Sequence, residues 1–162
     1  MMKYWDISVK NKHDQLILIV EVKINRKLHP NSFQWASKSY YNLYNHQLIP
    51  SSCYFLFAFL DNFYLWDHKY LNIDENNRII IPNYRTDAKI ILNSYFDRIN
   101  VKSETVNEYA LEIIVSSWLT DIMTESININ EVKEVKEYQD MLINSGLYDS
   151  ILGGYLTDKM VA

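Results

Sequence analysis

The sequence predicts an α/β fold in which a mixed β-sheet is flanked by helices. Two segments, Leu16–Ile24 and Cys53–Leu60, are almost continuously apolar and rich in β-branched or aromatic residues, which is typical of buried strands. Between them, Phe33–Gln47 carries apolar residues at helical spacing. Helical patterns dominate after residue 86. This order of elements predicts a sheet with helices packed on it.

The chain begins with a predicted hairpin followed by a helix. Tyr4–Lys10 alternates weakly and is expected to be a strand that turns back into the central strand Leu16–Ile24. Asn31 followed by Gln34 resembles a capping box, which predicts that the helix Phe33–Gln47 begins there.

A second predicted hairpin follows this helix. Its strands are Cys53–Leu60 and Phe63–Trp66, joined at the turn signal Asp-Asn. Residues 67–87 are polar and rich in turn formers, and Ile79–Ile81 is expected to be an edge strand.

The remainder is predicted to be a helical flank. We expect one helix over Asp87–Phe96 and another over Glu131–Asn144. Between them, a capping box formed by Thr105 and Glu108 predicts the start of a third helix. Gly153-Gly154 marks a further turn.

Length and composition limit the classes of protein to consider. The 162 residues are expected to form a single domain, with a core over about 1–70 and a helical flank over about 86–162. A content of 48% hydrophobic and 14% aromatic residues excludes a disordered chain. The one cysteine, Cys53, excludes an internal disulfide framework and is expected to be a buried thiol. No segment is typical of a targeting peptide or a membrane helix, so we expect a cytoplasmic protein without a membrane partner.

Charge is distributed unevenly along the chain. The net charge is −4, which argues against a generally basic nucleic-acid coat protein. Residues 1–70 hold eight basic and five acidic side chains, whereas residues 71–162 hold eight and fifteen. An anionic partner is therefore expected to meet the N-terminal half, although an ordinary uneven surface explains the same numbers.

Two charged residues interrupt the central strand. Glu21 and Lys23 alternate with Val20 and Val22, so the two charged side chains share one face of the sheet. Buried charges are costly unless they are paired or bind a metal. The pair therefore indicates either a functional site or an ion pair on a half-exposed strand.

Hairpin register decides whether Asp6 joins them. If His13 and Asp14 form a two-residue loop, Asp6 lies directly opposite Glu21. A four-residue loop places Asp6 opposite Ile19, still on the face of Glu21, and only an odd-length loop or a bulge would break the arrangement.

Two carboxylates beside an ammonium group suit a divalent metal. Mg²⁺ (or Mn²⁺) prefers carboxylate oxygens and retains positions for waters and substrate phosphate. We expect Asp6 and Glu21 as metal ligands, with the Val22 carbonyl as a further ligand from the same strand. Lys23 is expected either to hold the metal-bound water or to stabilise charge that builds on the phosphate.

The spacing of these residues resembles the PD-(D/E)XK nuclease superfamily, which has a restriction-endonuclease-like fold. Asp6 of Tyr-Trp-Asp-Ile and then Glu21 and Lys23 of Ile-Val-Glu-Val-Lys carry the resemblance. Over nearly the whole chain it is also similar to a family of short stand-alone bacterial proteins, through the segments FQWASKSYYNLYNHQLIP, CYFLFAFLDNFYLWD, SSWLTDI and SGLYDSILGG.

The resemblance implies a Mg²⁺-dependent phosphodiesterase site. It implies Asp6 and Glu21 as metal ligands, Lys23 as the catalytic lysine, and Gln34 or Lys38 as additions from the following helix. It favours DNA as the substrate. Cutting both strands would need two sites, so a homodimer or higher homo-oligomer is expected.

Two other functions compete with this one. A non-catalytic binding or interaction module of the same fold is favoured by the acidic composition and by Trp5, which stands where the motif has proline. A structural subunit whose acidic second half docks a basic protein is a further alternative.

The first helix also concentrates aromatic residues, namely Trp35, Tyr40, Tyr41 and Tyr44. Helical spacing favours a role in the core. Their interleaving with Lys38 and His46 is also compatible with stacking on nucleobases.

Overall fold

A computed structural model describes residues 3–24, 32–51, 53–157 and 160–161. The strands are β1 Lys3–Tyr4, β2 Ile7–Lys10, β3 Leu16–Val22, β4 Tyr54–Ala58, β5 Asn62–Asp67, β6 Asn72–Asp74, β7 Ile79–Ile81, β8 Tyr84–Asp87, β9 Tyr155–Thr157 and β10 Met160–Val161. The helices are α1 Ser32–Asn45, α2 Ala88–Ile99, α3 Glu108–Met123, α4 Ile129–Glu134, α5 Lys136–Gln139 and α6 Leu147–Ile151. A 3₁₀ turn, His68–Tyr70, and a π-helical turn, Asp140–Asn144, complete the described elements.

A six-stranded mixed sheet forms the centre, in the order β8-β5-β4-β3-β2-β9. Strands β3 and β4 are parallel and α1 connects them, whereas the other neighbours in this sheet are antiparallel. Two small sheets, β1-β10 and β6-β7, lie outside it. The predicted mixed sheet flanked by helices is confirmed at this level.

Strand β3 is buried on both faces because other elements pack against the sheet on both sides. Leu18, Val20 and Val22 face the larger core, which α2, α3 and the later helices cover. Ile19 faces the opposite way, into a second cluster beneath α1. This two-sided burial explains the nearly continuous apolar sequence of the strand.

The cluster beneath α1 is mainly aromatic, and we call it the aromatic layer: Trp5, Ile19, Ala36, Tyr40, Tyr41, Ile49, Cys53, Phe55, Phe57, Phe59, Tyr64, Trp66 and Ile80. Tyr40 stacks on Trp66 with ring centroids 4.6 Å apart and planes 2° from parallel. The Trp66 indole N–H donates to the Ile80 carbonyl at 2.8 Å, which satisfies its polar group inside the layer. The layer fixes α1 on the sheet.

Several predicted boundaries were wrong in the first two thirds of the chain. The predicted strand Tyr4–Lys10 is interrupted at residues 5 and 6, between β1 and β2. Residues 67–87 hold β6 and β8 as well as the predicted strand at Ile79–Ile81. Strand β8 lies at the sheet edge and buries only Thr86, so its sequence lacks the alternation that marks a strand. The predicted cap Asn31 lies outside the described residues.

The predicted helix Glu131–Asn144 was wrong as one continuous element. Val135 is extended, with φ −117° and ψ 112°, and it separates α4 from α5. The break allows Tyr138 to be buried, where its hydroxyl accepts a hydrogen bond of 2.8 Å from the Trp118 indole N–H. Packing against α3 thus overrides the helical pattern of this charged segment.

The C-terminal flank is not entirely helical, which corrects the prediction for residues 86–162. Strand β9 joins the main sheet beside β2, with Val9 opposite Leu156. The predicted turn at Gly153-Gly154 directs the chain into this position, and Gly153 has φ +75°. A Cβ on Gly154 would overlap the Lys10 carbonyl oxygen, so the close approach of the two strands requires glycine there.

No helix among the described residues is both long enough and apolar enough to cross a membrane.

Candidate active site

The register of the β2-β3 hairpin sets the position of Asp6. Two irregularities shift this register, and their effects compensate for each other. The turn holds three residues, because the Asn11 N–H donates to the Gln15 carbonyl at 2.9 Å. A bulge then occurs between Val9 and Lys10, which shifts the pairing by one more residue. Beyond the bulge Ile7 pairs with Val20, which is the register that a two-residue loop would have produced.

Asp6 lies one residue beyond the last pair of this hairpin. Its Oδ2 accepts a hydrogen bond of 2.8 Å from the Val22 N–H, so the carboxylate bonds to the strand as a neighbouring carbonyl would. Asp6 is half-buried. This bond fixes the carboxylate at the end of β3, beside the residues that flank Val22.

Glu21 lies on the face of β3 that is covered by α1. Its partner in the parallel ladder is Phe57 of the aromatic layer, and its Oε1 is buried. The residue as a whole is half-buried. The carboxylate therefore lies at the boundary between the aromatic layer and an open pocket.

Lys23 follows the last residue of β3. Its N–H donates to the Ala58 carbonyl at 3.0 Å, which extends the pairing with β4. The side-chain Nζ lies 5.8 Å from the centroid of the Trp35 ring, within the range of a cation–π contact. This placement agrees with the prediction that Glu21 and Lys23 share one face of the sheet, because both side chains line the pocket on the side covered by α1.

These two side chains line one pocket of about 340 Å³ between α1 and the sheet. The wall formed by α1 and the turn after it contains Trp35, Ser39, Asn42, Leu43, His46 and Leu48, and Phe57 contributes from β4. This volume falls in the range of about 300–1,000 Å³ typical of small-molecule sites. A carboxylate and an ammonium group thus share a concave site with aromatic and amide side chains.

Gln34 and Lys38 lie elsewhere on α1. Both are exposed, and neither lines the pocket beside Glu21 and Lys23. The phase of the helix explains this, because burial of Ala36 and Tyr40 directs Gln34 and Lys38 toward solvent. Their catalytic roles stay predictions.

The polar side chains that α1 and the turn after it present to the pocket were not predicted as catalytic or metal-binding residues. They are Ser39, Asn42 and His46, which follow Trp35 at intervals of four, seven and eleven residues. The His46 Nδ1 lies 2.7 Å from the Asn42 carbonyl oxygen. A carbonyl only accepts, so Nδ1 carries the proton, and Nε2 is an acceptor in the neutral ring.

The aromatic residues of α1 divide between two roles. Tyr40 and Tyr41 are buried in the aromatic layer, as the core interpretation predicts, and Tyr44 packs against it. Trp35 is half-buried and lines the pocket. Its ring meets Phe57 and Phe59 edge to face, at centroid distances of 5.7 and 5.9 Å.

A further carboxylate at this end of β3 was missed. Glu108 Oε1 accepts a hydrogen bond of 2.9 Å from the Ile24 N–H, two residues beyond the bond between Asp6 and Val22. The predicted capping box at Thr105 was wrong, because Asn107 caps α3 by accepting from the Ala110 N–H. Glu108 lies 84 residues from Ile24 in sequence, so the hairpin pattern held no signal for it.

Asp6 and Glu21 carry carboxylates, the hard oxygen ligands that Mg²⁺ prefers. Asp6 Oδ2 is bonded to the Val22 N–H, and Glu21, the residue before Val22 in β3, is half-buried. Among the described residues, no three His, Cys, Asp or Glu side chains form a metal-binding group. A site here would therefore draw further oxygens from the main chain, such as the Val22 carbonyl, and from water.

Cys53 is a buried thiol, as predicted, with its Sγ 3.4 Å from the Leu16 carbonyl oxygen. Burial raises the pKa of this thiol to about 11, which keeps it protonated and unreactive near neutral pH.

Comparison with family models, with curated proteins and with solved structures found no match to this chain.

Proposed function

We propose that this protein is a metal-dependent nuclease with a restriction-endonuclease-like fold that hydrolyses phosphodiester bonds in DNA. The observation that carries the proposal is the joint placement of Glu21 and Lys23 in one pocket, with Asp6 bonded to the intervening Val22. A carboxylate pair beside an ammonium group is the chemistry that phosphodiester hydrolysis needs.

Each of these residues has a distinct role in the proposed reaction. Asp6 and Glu21, with the Val22 carbonyl, would hold Mg²⁺ or Mn²⁺, which supplies Lewis acidity and lowers the pKa of bound water. Lys23 places its ammonium group at the pocket, where it stabilises negative charge developing on the phosphate. The contact with Trp35 limits where that ammonium group can lie.

The proposal includes a homodimer or higher homo-oligomer, which cutting both strands of a duplex would require. A surface compatible with self-association exists on α3. Tyr109 and Ile113 lie one turn apart and are 71% and 49% exposed, respectively.

The test is cleavage of plasmid, linear DNA and RNA with Mg²⁺, Mn²⁺ or EDTA. We expect metal-dependent cutting that falls on the order of 100-fold or more in Lys23→Met and Glu21→Gln, because each removes a charge placed at the reacting phosphate. Asp6→Asn should also lose activity, although its amide oxygen can still accept from the Val22 N–H.

The matched control is Lys12→Met, which removes an exposed lysine from the turn of the same hairpin. It should cut like the wild type. Equal activity of the Lys23→Met and Lys12→Met variants would contradict the proposed role of Lys23.

A non-catalytic binding module of the same fold is the second candidate. It is favoured by Asp6, which has one carboxylate oxygen bonded to the Val22 N–H and does not line the pocket. This candidate predicts no cleavage of DNA or RNA, and no Mg²⁺ binding by calorimetry that depends on Glu21.

A further inference from the structure

The pocket beside Glu21 and Lys23 has more lining than a phosphate requires. An ammonium group and metal-bound carboxylates suffice for the phosphoryl oxygens. The other residues extend along α1 from Trp35 into the turn after it at His46, and they include Phe57 on the opposite side. The pocket therefore has room for a larger group attached to the phosphate.

The chemistry of these walls matches a nucleobase. Trp35 is a half-buried aromatic ring at the pocket, and unpaired bases stack on such rings whatever their identity. Asn42 offers an amide with two donors and one acceptor, and His46 offers an acceptor nitrogen in its neutral form. Bases in single strands are recognised by this combination of stacking and edge hydrogen bonds.

The overall charge favours the same class of substrate. Binding to duplex DNA depends mainly on basic side chains that neutralise phosphates. This chain carries 16 basic and 20 acidic residues, and Lys23 is the one basic side chain, histidine aside, among the described residues that line the pocket. Stacking and edge contacts can replace part of that missing phosphate binding only if the base is unpaired.

We infer that the pocket takes an unpaired nucleobase next to the scissile phosphate, so that the substrate is single-stranded nucleic acid. The inference rests on the proposed nuclease function, because it assigns the phosphate to Glu21 and Lys23. Trp35 provides the stacking surface, and Asn42 with His46 contacts the edge of the base.

The test is equilibrium binding of fluorescently labelled 12-nucleotide single strands and the matching duplex to the full chain in EDTA. Without metal the assay measures binding alone, so the outcome is independent of cleavage. We expect the single strand to bind at least tenfold more tightly than the duplex. Trp35→Leu and Asn42→Ala should each weaken single-strand binding, by on the order of tenfold for the stacking residue.

Asn45→Ala is the matched control, since Asn45 is an exposed asparagine of the same helix that does not line the pocket. The Asn42→Ala and Asn45→Ala variants both change exposed residues, so the comparison holds even if Trp35→Leu fails to fold. Preference for the duplex, binding of neither probe, or equal affinities in the Asn42→Ala and Asn45→Ala variants would overturn the inference.

Failure of this inference is distinguishable from failure of the proposed function. If the protein cuts duplex DNA through Lys23 but binds single strands no more tightly than duplex, the proposed nuclease function stands and the inference of an unpaired base fails. If single-strand binding depends on Asn42 but no metal-dependent cleavage occurs, the pocket binds an unpaired base as inferred and the proposed nuclease function fails.

Discussion

Two buried tyrosines of the aromatic layer differ in the surroundings of their hydroxyl groups. Ser32 Oγ donates to Asp61 at 2.6 Å, so the Tyr64 hydroxyl, 2.8 Å from the same Oγ, donates to it. Within the described part of the chain, the buried Tyr40 hydroxyl has no hydrogen-bond partner. A buried hydroxyl without a partner loses its bonds to water and gains nothing in exchange.

We therefore predict opposite effects of removing these two hydroxyl groups. Tyr40→Phe should raise the free energy of unfolding by about 1 kcal/mol, because it removes a buried polar group that makes no bond. Tyr64→Phe should lower it by about 1 kcal/mol, because it breaks the bond to Ser32. Urea denaturation of both variants measures the difference, and a loss of stability in the Tyr40→Phe variant would contradict the argument.

Residue-level prediction from the sequence depended on whether the decisive contact was local. Glu21 and Lys23 share a face because strands alternate, and that rule needs no tertiary information. The hairpin register was predicted by assuming a two-residue loop, whereas a three-residue turn and a bulge produce the same register together. The contact of Glu108 with Ile24 could not be predicted from the sequence, because it depends on how α3 packs.

At the scale of elements, the strands that were predicted and those that were missed differ in burial. Strand β3 is interior and apolar on both faces, so its sequence identifies it. Strands β8 and β9 lie at the two edges of the sheet, are short, and contain few buried residues. Edge strands are specified by pairing with a neighbour, which a single sequence does not show.

Strand β9 depends on a close approach at Gly154. We predict that Gly154→Ala lowers the free energy of unfolding by about 2 kcal/mol or more, because the new Cβ overlaps the Lys10 carbonyl oxygen and lies 2.9 Å from that of Ile151. Hydrogen exchange should show faster exchange of the amides of β9 than in the wild type.

The control for this variant is Gly153→Asn. Gly153, unlike Gly154, has a positive φ, but a Cβ there meets nothing within 4 Å, and asparagine tolerates the left-handed conformation. Its effect on stability should be clearly smaller. Equal losses in the two variants would show that backbone conformation, and not the contact with Lys10, limits this turn.

At the scale of the whole molecule, several buried groups resist losing a proton. Burial is the main cause that raises the pKa of the Tyr40, Tyr95 and Tyr138 hydroxyls above their ordinary value of 10.0. Burial also raises the pKa of the Cys53 thiol from 9.0 to about 11. The folded chain therefore keeps protons that the unfolded chain releases at lower pH.

This difference predicts a loss of stability at alkaline pH. Below pH 9 both states hold these protons, and the free energy of unfolding should not depend on these groups. As the pH rises above 9, the unfolded chain loses protons first, so stability should fall. Urea denaturation from pH 7 to 11 measures this, and Cys53→Val should reduce the fall between pH 9 and 11. Stability that stays constant over that range would contradict the assignment.

The pairing of β2 with β9 also has a consequence for how the chain folds. The bond between Thr157 and Ser8 joins residues 149 positions apart, so forming this pair closes a loop of nearly the described length. Loop-closure entropy and high contact order make such a pairing slow relative to the local β2-β3 hairpin. Until β9 docks, β2 presents unpaired N–H and C=O groups along its free edge, with the apolar side chains of Ile7 and Val9 in the same strand. That edge is where association between partly folded copies is expected to begin during refolding.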